Sequence, residues 1–326
     1  MKALAQDRYG SPDALELRDV DPPSVGDEDV LVRVRAASAN PYDLHYLRGL
    51  PYIVRPFGSR AGFGVRGPKP HVRGVDLAGE VEAVGTRVTQ FRPGDEVYGL
   101  GRGTFAGYAS AAERVLAPKP ARLTFAEAAA MPIAATTALQ GLRDHGRVQP
   151  GQSVLINGTA GGVGTFAVQI AKAFGADTTG VCSTRHVEMV RSIGADHVID
   201  YSADDFTRGP DRYDLILDLV GNHAVSACRR ALRPGGTLLL SYGGSNTWVG
   251  PFGRILQAAA LSRFASQRLL AFTAHVTGED LRALSDLVQS GAVTPVIDRT
   301  YSLVESREAL RYLEAGHAGG KVVVTV

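Results

Sequence analysis

The sequence predicts a two-domain α/β protein, with a β-rich amino-terminal part followed by a doubly wound parallel sheet. Three observations carry this. The chain has 326 residues, enough for two cores at about 150 residues each. Its texture changes near Thr124, from short apolar runs broken by Gly, Pro and charge to alternating apolar strands and helices. A glycine-rich turn, Gly158-Thr159-Ala160-Gly161-Gly162-Val163-Gly164, follows an apolar strand and opens a helix.

The elements come in this order. Up to about residue 120, Val30–Val34, Ala78–Gly85 and Pro93–Gly99 read as short strands and turns of a partly open barrel. Thr124 and Glu127 form a capping-box pattern, and Leu123–Leu142 reads as largely helical with an interruption at Met131-Pro132. Pro150-Gly151 ends that connection. Ser153–Asn157 is a strand and Val163–Phe174 a helix; Asp177–Ser183 and Val187–Ile193 repeat the pair, and His197–Ile199 is short and extended. Tyr213–Val220 is a strand that is apolar but for its acids. His223–Leu232 reads as a helix and Gly236–Ser241 as a buried strand. The tail gives a helix near Glu279–Gln289, a strand led by Pro295, a helix near Ser306–Gly316 and a last strand, Lys321–Val326. The expected domains are 1–122 with 265–326, and 123–264.

Composition narrows the function. Hydrophobic residues make up 44% and charged residues 21%, as in a globular protein. A net charge of +2 gives no footprint for nucleic acid. Cys182 and Cys228 offer no disulfide framework and too few thiolates for a structural zinc, which fits a reducing, cytoplasmic compartment. The amino terminus has no apolar run of signal length, and no 18-residue apolar run suggests a membrane span.

The glycine turn is the strongest chemical signal. Glycines let the backbone approach a pyrophosphate, and the helix after them offers free N–H groups and its positive end. One departure from G-x-G-x-x-G stands out: Thr159 replaces the first Gly, with Gly158 displaced by one. Where NAD-binding folds place an acid at the end of the second strand, this chain has Ser183, with Arg185 two residues on. A hydroxyl and a guanidinium suit the 2′-phosphate of NADPH; the alternative is a solvated Arg185 at a helix start.

The turn and the helix Ala167–Lys172 together resemble the medium-chain dehydrogenase/reductase superfamily, more narrowly its zinc-independent quinone oxidoreductase branch. Gly74–Val81, Arg92–Val97, Ile193–Tyr201, Asp218–Gly221 and Gly319–Val324 carry the likeness along nearly the whole chain. The Gly319-Gly320-Lys321 segment is also similar to the reticulon-4-interacting-protein-1-like group. The resemblance implies a GroES-like substrate domain and a Rossmann domain. It places Ala160, Gly161, Gly162, Val163 and Gly164 on the cofactor, with Leu219 and Gly221. Tyr201 would touch the adenosine phosphate end and Thr137 the nicotinamide. Ser241, Tyr242 and Gly243 would approach the ribose or pyrophosphate. Phe272 and Lys321 are further cofactor candidates, Lys321 being equally readable as a surface residue.

The same resemblance addresses metal. Where zinc enzymes of the superfamily hold a Cys and a His-Glu pair, this chain has Asn40 and Val75-Asp76. Residues 98–112 lack Cys, and His45 and His71 are isolated, so no metal site is expected. Asn40 can bond a substrate oxygen or the nicotinamide ribose; Tyr42 and Tyr46 can supply a proton or simply wall the site. The implied enzyme passes hydride from NADPH to a quinone or α,β-unsaturated carbonyl. An enoyl-thioester reductase and a non-catalytic NADPH-binding interaction protein are the alternatives. The first draws on Arg48, Arg55, Arg60, Arg66, Lys69 and Arg73, which lie between Asp43 and Asp76 with no acid among them. A homodimer is expected through an apolar sheet edge at Gly236–Ser241 and the residues just after it.

Overall fold

The computed structural model describes residues 1–50, 68, 71–241, 252–262 and 266–326. Tyr242, Gly243, Arg55, Arg60, Arg66 and Lys69 lie outside them. The chain divides into two compact units: Met1–Ile133 with Val276–Gln289 and Pro295–Val326, and Ala134–His275 with Ser290–Thr294.

The first unit opens with β1 (Lys2–Gln6), β2 (Leu15–Asp19), β3 (Asp29–Ala39), α1 (Pro41–Arg48), β4 (Asp76–Val84), β5 (Glu96–Leu100), β6 (Tyr108–Ala112), β7 (Leu116–Pro118) and α2 (Phe125–Ala129). α3 (Pro132–Gln140) leads into the second unit. Next come β8 (Ser153–Asn157), α4 (Gly162–Ala173), β9 (Asp177–Cys182), α5 (Val187–Ser192), β10 (His197–Asp200), β11 (Tyr213–Asp218), α6 (Val225–Arg230), β12 (Leu232–Leu240), α7 (Phe252–Ser262) and β13 (Arg268–Ala271). The chain returns to the first unit with α8 (Gly278–Gln289), β14 (Ile297–Ser302), α9 (Ser306–Glu314) and β15 (Lys321–Thr325).

In the first unit β3 is central. Its Val30, Val32 and Val34 alternate into the core, where β-branched side chains pack well on a pleated face. β3 pairs antiparallel with β4, β6 and β15, in the order β14-β15-β3-β4-β5-β7. The last strand thus closes on an early one: Val322 pairs with Ala39 and Val324 with Ala37. Leu4, Leu77, Phe105, Val322 and Val324 fill the same core.

The second unit is a parallel sheet in the order β10-β9-β8-β11-β12-β13. From β8 the chain steps outward through β9 to β10. It then returns to β11, on the other side of β8, and steps outward again. The order reverses between β8 and β11, the switch point outside whose carboxyl ends open α/β sheets bind ligands. Val154, Leu155, Ile156, Leu215, Ile216 and Leu217 are buried, as expected of strands covered on both faces. α4 packs closely at its start: a Cβ at Gly164 would stand 2.2 Å from Gly158 O, a contact that Gly alone permits.

Several elements differ from the sequence reading. Leu123–Leu142 breaks into α2 and α3, and the chain continues through a wider π-type turn at Gly141–Gly146. The helix read as His223–Leu232 is shorter, because Leu232 already pairs with Tyr213 and starts β12. Gly236–Ser241 is not an edge: β12 lies between β11 and β13, and β13 is the outer strand among the described residues.

Candidate active site

The carboxyl ends of the second unit's strands are in register. Asn157 pairs with Val181 and Asp218, and Asp218 with Leu240. The loops leaving these ends carry most of the cofactor candidates. After β8 the chain turns through Gly158, at φ +92°, and Gly161 begins α4 with extended backbone. Among the described residues, no side chain caps the first turn of α4, and that turn holds no acid. Its N–H groups and positive dipole end therefore meet no counter-charge within that turn. A Cβ at Gly161 would meet, among the described residues, just Gly158 O at 3.4 Å, so the backbone there is open to a ligand.

Asp218 ties neighbouring turns together. Its buried carboxylate accepts the N–H groups of Val220 (3.2 Å) and Gly221 (2.9 Å) and the Asn157 amide (2.9 Å). The Leu219 N–H donates to Asn157 O at 3.1 Å and the Ser241 N–H to Asp218 O at 3.2 Å. Tyr201, 58% exposed, donates its N–H to Cys182 O, and Phe272 donates its own to Leu240 O. Ala160, Gly161, Gly162, Val163, Gly164, Leu219, Gly221, Ser241, Tyr201 and Phe272 thus all lie at carboxyl ends of adjacent strands. Phe272 also packs: its ring is 4.8 Å from that of His145, and a Cβ at Gly141 would meet its Cζ at 3.0 Å. Thr137 lies on α3, largely buried.

At the end of β9, Ser183 opens a tight turn, Thr184–His186, that holds no carboxylate. Asp200, at the end of β10, is engaged by the Thr184 hydroxyl and by the Ser202 N–H (2.9 Å), which hold its carboxyl below the usual range. An open glycine turn, an uncapped helix start and a hydroxyl–guanidinium pair in place of an acid fit a dinucleotide bearing a 2′-phosphate.

In the first unit Asn40 caps α1 and organises a buried cluster. Its N–H donates to Asp43 Oδ2 at 2.8 Å. Its Nδ2 donates to Asp76 Oδ2 at 2.9 Å and to Ser38 O at 3.2 Å. Lys321 Nζ donates to Asn40 Oδ1 at 2.7 Å and stands 3.4 Å from Asp76 Oδ2. The Ser38 hydroxyl (2.8 Å) and the Ile133 N–H (3.1 Å) complete the shell of Asp76. Asn40, Asp43, Asp76 and Lys321 are all buried. Lys321 is therefore not a surface residue, and both amide hydrogens of Asn40 are committed within the unit. Burial pushes the Asp43 carboxyl up to about 7, with the Asp76 charge adding to it, and burial pushes Lys321 down.

One turn along α1, Tyr42 Oη donates to Tyr46 Oη at 2.8 Å, with ring centroids 4.5 Å apart. Tyr42 is 45% exposed overall; partial desolvation around its hydroxyl and that bond raise the phenol above its ordinary range. Two of the basic residues after Asp43 are tied into the fold: Arg48 pairs with Glu314 at 2.7 Å and Arg73 is buried. Among the described residues, no three His, Cys, Asp or Glu side chains converge as a metal-binding group.

Known proteins share this architecture. The alcohol dehydrogenase GroES-like domain family matches residues 26–121, and the zinc-binding dehydrogenase family matches residues 193–324. The fold overlays that of the quinone oxidoreductase from Coxiella burnetii with a TM-score of 0.88, at 30% identity over 100% of this chain and 99% of that one. The 2-methylene-furan-3-one reductase of Solanum lycopersicum is 35% identical, over 99% of this chain and 79% of that protein. The chain belongs to the quinone oxidoreductase branch of the medium-chain dehydrogenase/reductase superfamily. The NADPH-dependent alkenal/one oxidoreductase of Arabidopsis thaliana, a chloroplast protein, is 33% identical over the same shares.

Within this family architecture, Asp43 makes stability depend on pH. Its carboxyl ionises near 3.9 in an unfolded chain and near 7 in the folded one, so the folded state holds the proton more tightly. The stability this contributes is full below about pH 4 and is lost as pH rises through about 7. Asp43→Asn keeps an acceptor for the Asn40 N–H but cannot ionise. The difference between wild type and D43N in urea midpoint should therefore change across pH 4 to 7. A constant difference would show that Asp43 does not titrate in that window.

Proposed function

We propose that this chain is an NADPH-dependent oxidoreductase that transfers hydride to a quinone or an α,β-unsaturated carbonyl without zinc. The observation that carries the reading is the open glycine turn at the β8–β11 reversal, with the uncapped start of α4 behind it. Relatives named as alkenal/one and quinone oxidoreductases support the acceptor class.

When bound, the reduced nicotinamide supplies the hydride. Ala160, Gly161, Gly162, Val163 and Gly164 would hold the pyrophosphate, Leu219, Gly221 and Ser241 the ribose side, and Ser183 and Arg185 the 2′-phosphate. Tyr201 would meet the adenosine end, and Thr137 and Phe272 the nicotinamide end. Tyr242 and Gly243 carry a role by resemblance alone. In the first unit, Lys321 puts an ammonium on the Asn40 and Asp76 oxygens, and that charge opposes a divalent metal there. An enone that accepts hydride at its β-carbon becomes an enolate and needs one proton. The Tyr42–Tyr46 hydroxyl pair would supply it, while Asn40 and its partners fix the start of the helix that bears them. The basic residues that would favour an enoyl-thioester substrate fall mostly outside the described residues, so nothing observed favours that reading.

The same reading includes a cytoplasmic location and a homodimer; no helix among the described residues is long and apolar enough to cross a membrane. Light scattering that finds monomer at all micromolar concentrations would remove the dimer.

Cofactor choice tests the proposal. A hydrogen bond to a charged group is worth about 1.5–3 kcal/mol, so Arg185→Ala should weaken NADPH binding about tenfold or more and leave NADH little changed. Turnover of NADPH against a panel of enones and quinones should survive EDTA. Failure of every acceptor, or activity that disappears with a chelator and returns with zinc, would sink the reading.

A further inference from the structure

We propose that His186 sets cofactor selectivity by holding Arg185 in place for the 2′-phosphate, a role that rests on the NADPH reading above. Arg185 is exposed, and His186, the next residue, is half-buried. The Arg185 Nε–H donates to His186 Nε2 at 3.0 Å. A guanidinium can only donate, so this bond makes Nε2 the acceptor and puts the ring proton on Nδ1. The residue sits on a closed turn: the His186 N–H donates to Ser183 O at 2.9 Å, and His186 is the residue just before α5, with no side-chain capping bond to that helix. Ser183, Arg185 and His186 therefore share one tight turn at the carboxyl end of β9.

The physical effect is preorganisation. An exposed arginine has many rotamers and loses that freedom when it grips a ligand. Anchoring Nε on the His186 ring restricts the plane in which the two terminal nitrogens lie. That planar fork matches two phosphate oxygens, so part of the ordering is done before the cofactor arrives. NADH has no 2′-phosphate and gains nothing from it. His186 is thus a positioning residue that acts through Arg185.

The test is a cofactor fluorescence titration of wild type, His186→Ala, His186→Gln, Arg185→Ala and the Ala–Ala double variant, each with NADPH and with NADH. H186A should weaken NADPH binding about three- to tenfold with NADH unchanged. H186Q keeps an acceptor for Arg185 and should recover most of the loss. In the R185A background, H186A should add nothing further. An equal loss for both cofactors in H186A would mean that the ring merely supports α5 and would overturn the proposal. So would a full H186A loss that persists in R185A. Equal wild-type affinity for the two cofactors would instead overturn the NADPH reading itself, and the proposal with it.

Discussion

Replacing Lys321 with Met should destabilise the protein by about 3–5 kcal/mol, the usual penalty for leaving one partner of a buried ion pair uncompensated. Asp76 has no exposed surface and Lys321 is 3% exposed. Removing the ammonium leaves the Asp76 carboxyl without its ion-pair partner in the core and takes the 2.7 Å bond from Asn40 Oδ1. The damage would reach α1, whose start Asn40 caps. Adding Asp76→Asn to K321M should restore part of the loss, since the stranded charge is then gone while an acceptor remains for Ser38 and Ile133. Urea unfolding followed by circular dichroism reads both effects. A K321M loss under about 1 kcal/mol would show that the pair does not hold this region together.

Gly164→Val should abolish tight NADPH binding, by about a hundredfold or more, equivalent to about 2.7 kcal/mol. A Cβ there would stand 2.2 Å from Gly158 O and 2.6 Å from Thr159 Cα, both backbone atoms that cannot swing aside. α4 would have to withdraw from the turn and take its N–H groups with it. Gly161→Ala separates fold from binding. Its Cβ meets one described atom, at 3.4 Å, so the fold should keep its stability. The same Cβ projects over the open turn and should weaken NADPH by steric exclusion. Wild-type affinity in G161A would mean that no ligand approaches that backbone.

These two sites differ in how readable they were. β8 and α4 were legible to within a residue or two, because an apolar β-branched run, a glycine cluster and a regular helix period punctuate the sequence there. The sheet edge was not: β13 is four residues long and begins with Arg268, too little pattern to tell from a loop. Asp218 shows in the sequence as one of two acids in an otherwise apolar strand. Its role in joining two turns needed the strand order, which no local pattern encodes. Lys321 and Asn40 lie 281 residues apart in sequence, and their contact depends on β15 pairing with β3. Asp76 stands inside the Gly74–Val81 motif, where the sequence shows the replacement of a zinc ligand but not the buried cluster that the acid centres.

Hydride transfer is tested most directly with NADPH carrying deuterium at nicotinamide C4, incubated with the protein and an enone in ordinary water. Mass spectrometry and NMR of the reduced product should find one deuterium at the β-carbon and a solvent-derived proton at the α-carbon. Reduced product without deuterium, or NADPH consumption no faster than without the protein across enones and quinones, would contradict it.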